Sequence, residues 1–381
     1  MKILCCVLKS NGYKSRRFNL WSRFYYFSVN VCFICGIISF GCSSGNRGNP
    51  NPIQKTFSWD SILPLEKQLS GKKFFIEELK IPNRMLYKNN KLLITDSAPG
   101  DTFVHVLDGN SLEYLFSTVA TGYGPGEIPD AWAFESGLDP DTFWVYSLGG
   151  KVFSEYALED FSDSRAINQF HQKEDFFLAA GITWASDSSF MTILVRGEDK
   201  FVEFNTDGTR LESYGKWKGL IPGDFEDHVI ADLHQGRLMG DPKVGKFIKT
   251  SIYRDHLEIL DRKSGQIIEI DGPENSIPEF QAFDVGAVVT MDHPVAYLDA
   301  FLGKAHLFGL YSGKTEREIN EHGRGETDIF VFDHEGNLKA ALKLDIPIRS
   351  FTVDEDQQRI LGITTDKDPG VVVFRYNFDE E

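Results

Sequence analysis

The chain has 381 residues, of which 31 are Phe, and a formal net charge of −16. That length accommodates one large or two modest domains with a sizeable core. Its first 42 residues hold six of the 40 basic residues and no acid, so the remainder carries 34 basic and 56 acidic residues, a net of −22. Such a body repels nucleic acid and anionic lipid head groups, which excludes both as partners of the folded part.

The chain opens on a basic stretch, Lys2, Lys9, Lys14, Arg16, Arg17 and Arg23, followed by the apolar run FYYFSVNVCFICGIISF over 24–40. That order is the order of a secretory signal. A permanent membrane helix is the rival reading, but 17 residues containing Ser28 and Asn30 are at the short limit for a span. All five cysteines, Cys5, Cys6, Cys32, Cys35 and Cys42, fall within this leader. The body therefore has no disulfide framework, thiolate metal site or cysteine nucleophile, and depends on its core alone.

The run ends Ser39-Phe40-Gly41-Cys42. This resembles a lipobox, in which a small residue precedes the cysteine that receives diacylglycerol, although Ser39 stands where leucine is usual. The resemblance implies a signal peptide over 1–41 and lipidation at Cys42. The following SSGNRGNPNP is small, polar and proline-containing, so 42–72 reads as lipidated cysteine plus flexible tether. Acyl chains would supply the membrane affinity, at roughly 0.8 kcal/mol per buried methylene. With Arg47 and no acid just after Cys42, the expected location is the cell envelope, at the outer membrane facing the periplasm.

From residue 73 to 381 short alternating runs recur with turn signals between them, which predicts an all-β domain. Four segments end a strand on an acid or amide, turn at glycine and begin another strand: 103–116, 201–214, 256–270 and 329–342. Asp108, Asn205, Asp261 and Asp333 cap the turns, and Gly109, Gly208, Gly265 and Gly336 relieve them. Each hairpin follows two further candidate strands, and four antiparallel strands in about 40 residues is the size of a propeller blade. The predicted blades are 84–120, 130–172, 182–217, 228–273, 294–345 and 348–378. The last is one strand short, and 73–81, KFFIEELKI, belongs to no blade. Pairing it with 370–378 completes a closed six-bladed β-propeller without free edges. Because Phe74, Ile76 and Leu79 cannot share one face, a bulge or twist is expected there.

This pattern resembles the TolB-like six-bladed propeller lipoproteins of Bacteroides-type bacteria. Gly122-Tyr123-Gly124-Pro125-Gly126-Glu127-Ile128 is similar to a Gly-x-Gly-Pro-Gly-Glu stretch of that family. The resemblance implies fold and envelope location and says little of activity.

The same glycines do not make a phosphate loop, because Pro129, Asp130 and a strand follow where a helix is needed. His228 and His234 would share a strand face, yet two imidazoles are at most half a metal site, and no third ligand is suitably spaced. Neither Gly-x-Ser-x-Gly nor a calcium loop occurs, so no cofactor or metal is expected. Trp132, Trp144, Trp184 and Trp217 are expected to pack between blades. The leading functional expectation is a non-catalytic propeller that binds an envelope protein or small ligand at its channel rim, with Glu127, Asp130 and Arg349 as candidates. The alternative is a hydrolase or lyase acting on a carbohydrate or lactone, since carboxylate pairs leave no linear motif.

Overall fold

A computed structural model describes residues 50–378, apart from 160–162, 218–220, 285, 323–324, 326 and 367. Cys42 and the signal segment lie outside the described residues. Six antiparallel sheets stand around a channel. Their inner strands are Pro82–Lys88, Ala133–Glu135, Ala179–Trp184, Leu238–Asp241, Pro294–Leu302 and Ile348–Asp354. Each touches the next, and the last touches the first, which closes the ring.

The blade boundaries follow the turn chemistry. Asp108 Oδ1 accepts from the amides of Asn110 and Ser111 at 2.9 and 2.8 Å, and Asp333 Oδ1 accepts from those of Glu335 and Asn337 at 3.1 and 2.8 Å. Gly208, Gly265 and Gly336 occupy left-handed backbone at φ of 90°, 73° and 76°. Gly109 differs. The left-handed residue of that turn is Leu112 at φ of 60°, whereas Gly109 is needed because a Cβ there would lie 2.8 Å from the backbone of Asn90.

Blade faces pack against one another, so the core is six inter-blade layers rather than one central mass. Between blades 2 and 3, Phe153, Trp184 and Phe190 interlock with Trp144, whose ring centroid is 5.1 Å from that of Trp184. Trp217 is also buried, but Trp132 is half exposed at the channel.

The segment expected as tether is ordered from Ile53. Ile53–Thr56 pairs in parallel with Gln266–Asp271 on the outside of blade 4, and Glu66–Leu69 pairs in parallel with Leu338–Leu344 on blade 5. Apolar residues among the polar ones explain the docking: Phe57 packs edge-on against Phe330 and Phe332, and Ile62 and Leu69 are buried. Lys72–Phe75 then pairs antiparallel with Gly370–Arg375 in blade 6. This strand ends at Phe75, and the chain turns, so that Ile76 and Leu79 both enter the layer between blades 6 and 1.

The helix Asp227–Leu233 corrects the reading of 228–234 as strand. Val229, Ile230 and Leu233 bury one helical face, against Phe225, Phe280 and neighbouring residues. His228 is half-buried, His234 is buried and stacks on Trp217, and the two do not share a site. Short helices also occur at Trp59–Ile62 and Glu316–His322. Among the described residues no helix is long and apolar enough to cross a membrane.

One inter-blade layer is ionic. Between blades 3 and 4 the buried Lys200 ammonium donates to Glu258 Oε2 at 3.0 Å and Glu269 Oε1 at 2.5 Å. Glu258 also meets His256 at 3.1 Å, and His256 reaches Asp271 at 2.6 Å. These cations hold the Glu258 carboxyl well below its ordinary range despite burial. Lys200→Met leaves Glu269 without its cation and Glu258 with His256 alone, and should cost about 3–5 kcal/mol in denaturant unfolding. A loss below 1 kcal/mol would show that the layer is held by apolar packing instead.

Candidate functional site

The inner strands line three adjoining cavities. At the end where those strands begin lies a mouth cavity of about 580 Å³, lined by Arg84, Ser97, Phe103, Asp130, Trp132 and Arg349 among others. A second of about 270 Å³ shares Arg84, Trp132, Ile252 and Leu298 with it. A third of about 310 Å³, towards the opposite end, shares Arg237 with the second.

Three arginines stand at the starts of inner strands, Arg84 in blade 1, Arg237 just before blade 4 and Arg349 in blade 6. Arg84 and Arg237 share the buried Asp299 of blade 5 as counter-ion. Asp299 Oδ1 accepts from Arg237 Nε at 3.0 Å, and Oδ2 lies 3.7 Å from Arg84 Nη1 and accepts from the Ser350 hydroxyl. Arg349 has no such partner: among the described residues no carboxylate reaches it and no hydrogen bond engages its nitrogens. Its partial burial lowers its pKa, with no compensating anion.

The three sequence candidates part company here. Arg349 and Asp130 both line the mouth cavity. The Asp130 carboxylate, however, is already occupied, accepting from Ser147 Oγ at 2.8 Å, Leu148 N at 3.0 Å and Gly149 N at 2.9 Å. It shapes the rim by capping that turn. Glu127 does not line this cavity. Its side chain folds back to accept from Gly124 N at 2.9 Å, and a Cβ on Gly122, at φ of 151°, would fall 2.1 Å from its Oε2. The glycine loop is thus a tight knot that ties blade 1 to blade 2, with Gly126 O accepting from Ala166 N at 2.8 Å.

The sequence matches the TolB-like 6-blade propeller-like family over residues 58–356. The chain belongs to that family. Two solved structures share the TolB-like fold closely enough to compare. One is a DUF4221 family member from Bacteroides vulgatus, 11% identical at a TM-score of 0.53, with 82% of this chain and 97% of that chain covered. The other is a Bacteroides fragilis protein described as exported, 12% identical at a TM-score of 0.53, covering 85% and 99%. At such identity the likeness concerns the fold alone. No curated protein sequence matches the chain.

At the mouth the TolB-like channel offers the cations Arg84 and Arg349 beside the already engaged Asp130 carboxylate. Ser97 accepts from Asn83 Nδ2 and has no histidine beside it in the mouth. Among the described residues no three His, Cys, Asp or Glu converge on a metal position. In the third cavity the Glu135 carboxyl is pushed up to about 8 by burial, partly offset by the Thr183 hydroxyl at 2.8 Å and the charge of Arg237.

Because its folded value lies above its unfolded one, Glu135 weakens the fold progressively as pH rises from about 4.5 towards 8. Glu135→Gln keeps an acceptor for Thr183 and removes the ionisation. Its stability relative to wild type should therefore grow by roughly 1.4 kcal/mol per pH unit across that window. A difference independent of pH between 5 and 8 would contradict the assignment.

Proposed function

We propose that the protein is an envelope lipoprotein, held to the outer membrane through Cys42, whose propeller binds a ligand in the mouth of its channel without turning it over. The observation that carries this reading is the open mouth cavity of about 580 Å³ with the unpartnered Arg349 guanidinium in its wall. That volume is typical of small-ligand sites, and a cation left unsatisfied beside it is an offer to a ligand. The fold presents this opening at the centre of a rigid ring, where blades position side chains from distant parts of the chain. Export is supported by the leader ahead of Cys42 and by the Bacteroides fragilis neighbour described as exported. The rim supports binding over catalysis, because the Asp130 carboxylate is committed to three donors.

Anchor and binding are tested separately. A fatty-acid probe fed to cells should label the wild type and leave Cys42→Ser unlabelled and released from the membrane; equal labelling would remove the anchor. Mass spectrometry of molecules that co-purify with the protein should recover a species that Arg349→Gln loses. Turnover of a glycan or lactone that vanishes in Asp130→Ala would overturn the binding reading.

A further inference from the structure

Resting on that reading of the mouth, we propose that its ligand is a small organic oxyanion, with a carboxylate or phosphate head on Arg349 and Arg84 and a ring or apolar body against Trp132. Charge distribution carries the argument. The body outside the leader has a net charge of −22, yet its mouth cavity is lined by Arg84 and Arg349 against one carboxylate, Asp130, which three donors already hold. The lining of the mouth therefore holds one more positive charge than negative ones.

An acidic protein has carboxylates to spare for neutralising an arginine, and none is placed at Arg349. A guanidinium taken out of water without a counter-ion is destabilising, so a group retained there is matched to an anion from outside. Its planar fork suits two oxygens of one head group. Arg84 lines the same cavity and lies 3.7 Å from Asp299. Beside these cations the wall carries an apolar side made of Phe103, Ile252, Leu298 and Trp132, and Trp132 is 50% exposed. A bare inorganic ion would leave that surface unused, whereas a head with a ring attached covers both.

The test uses the lipid-free protein from residue 48 onward, which holds every described residue, and four probes: benzoate, phenyl phosphate, inorganic phosphate and neutral benzyl alcohol. Binding is read by calorimetry and by quenching of Trp132 fluorescence, with Trp132→Phe as the control for the optical signal. The expected result is that one or both aromatic anions bind, benzyl alcohol binds at least roughly tenfold more weakly, and Arg349→Gln weakens the anion by a similar factor while Arg349→Lys restores part of it. Preference for benzoate or for phenyl phosphate assigns the head as carboxylate or phosphate. Benzyl alcohol binding as tightly as the anions would overturn the oxyanion while leaving a mouth site in place. Inorganic phosphate binding as tightly as phenyl phosphate would overturn the role of Trp132. Anion binding unchanged in Arg349→Gln would overturn the site itself.

Discussion

The architecture depends on closing a ring of sheets. Each blade buries both faces against its neighbours, so an unclosed ring would leave two apolar faces and a strand edge in water. The chain meets this with three short strands from its N-terminal side. Ile53–Thr56, Glu66–Leu69 and Lys72–Phe75 are laid in succession on the outer edges of blades 4, 5 and 6. The first two cover edges; the third contributes the fourth strand of the last blade. Side chains then stitch the seam between blades 6 and 1: Arg359 Nη2 donates to the Gly109 carbonyl at 3.1 Å, and the Tyr87 amide donates to Thr352 Oγ1 at 3.1 Å.

The candidate site is a product of that seam. Arg84 and Arg349 lie in the first and last inner strands, which adjoin only because the ring closes. Asp299, in blade 5, reaches both Arg237 and Arg84 and takes the Ser350 hydroxyl, so one carboxylate links blades 1, 4, 5 and 6 across the channel. Stability and binding therefore use the same charges in different ways. The Lys200 layer satisfies its ions internally and is closed to solvent, whereas the mouth leaves Arg349 unsatisfied beside open space.

Much of the fold was legible because strand alternation and Asp–Gly turns are local. The blade spans 84–120 and 294–345 correspond to strands running from Pro82 to Ala120 and from Pro294 to Leu344. What failed was also local in origin. Leu238–Asp241 is a short inner strand without alternation, so the apolar residues of the preceding helix Asp227–Leu233 were read as strand. Residues 53–69 look polar enough for a tether, and only their docking partners, more than 200 residues away, make them strands. The glycine loop drew attention to Glu127, whose carboxylate serves the loop itself. Arg349 is visible in the sequence by its position, whereas Arg84 and Arg237 carry no motif that marks them. The available signal was a basic residue recurring at the starts of inner strands in a chain whose turns are acidic. Convergence of Arg84 and Arg237 on Asp299 is a property of the closed ring and has no linear trace.

The most direct test of this account is the melting and sedimentation of three chains that begin at residues 48, 70 and 76 and end at 381. Closure by Lys72–Phe75 predicts that the first two are monomeric, the second somewhat less stable for want of its two edge strands. The third, which differs from the second only by residues 70–75, should melt at least roughly 10 °C lower or aggregate through the exposed edge of Gly370–Arg375. A monomeric third chain with the melting temperature of the second would show that the ring holds without that strand, and would contradict the account.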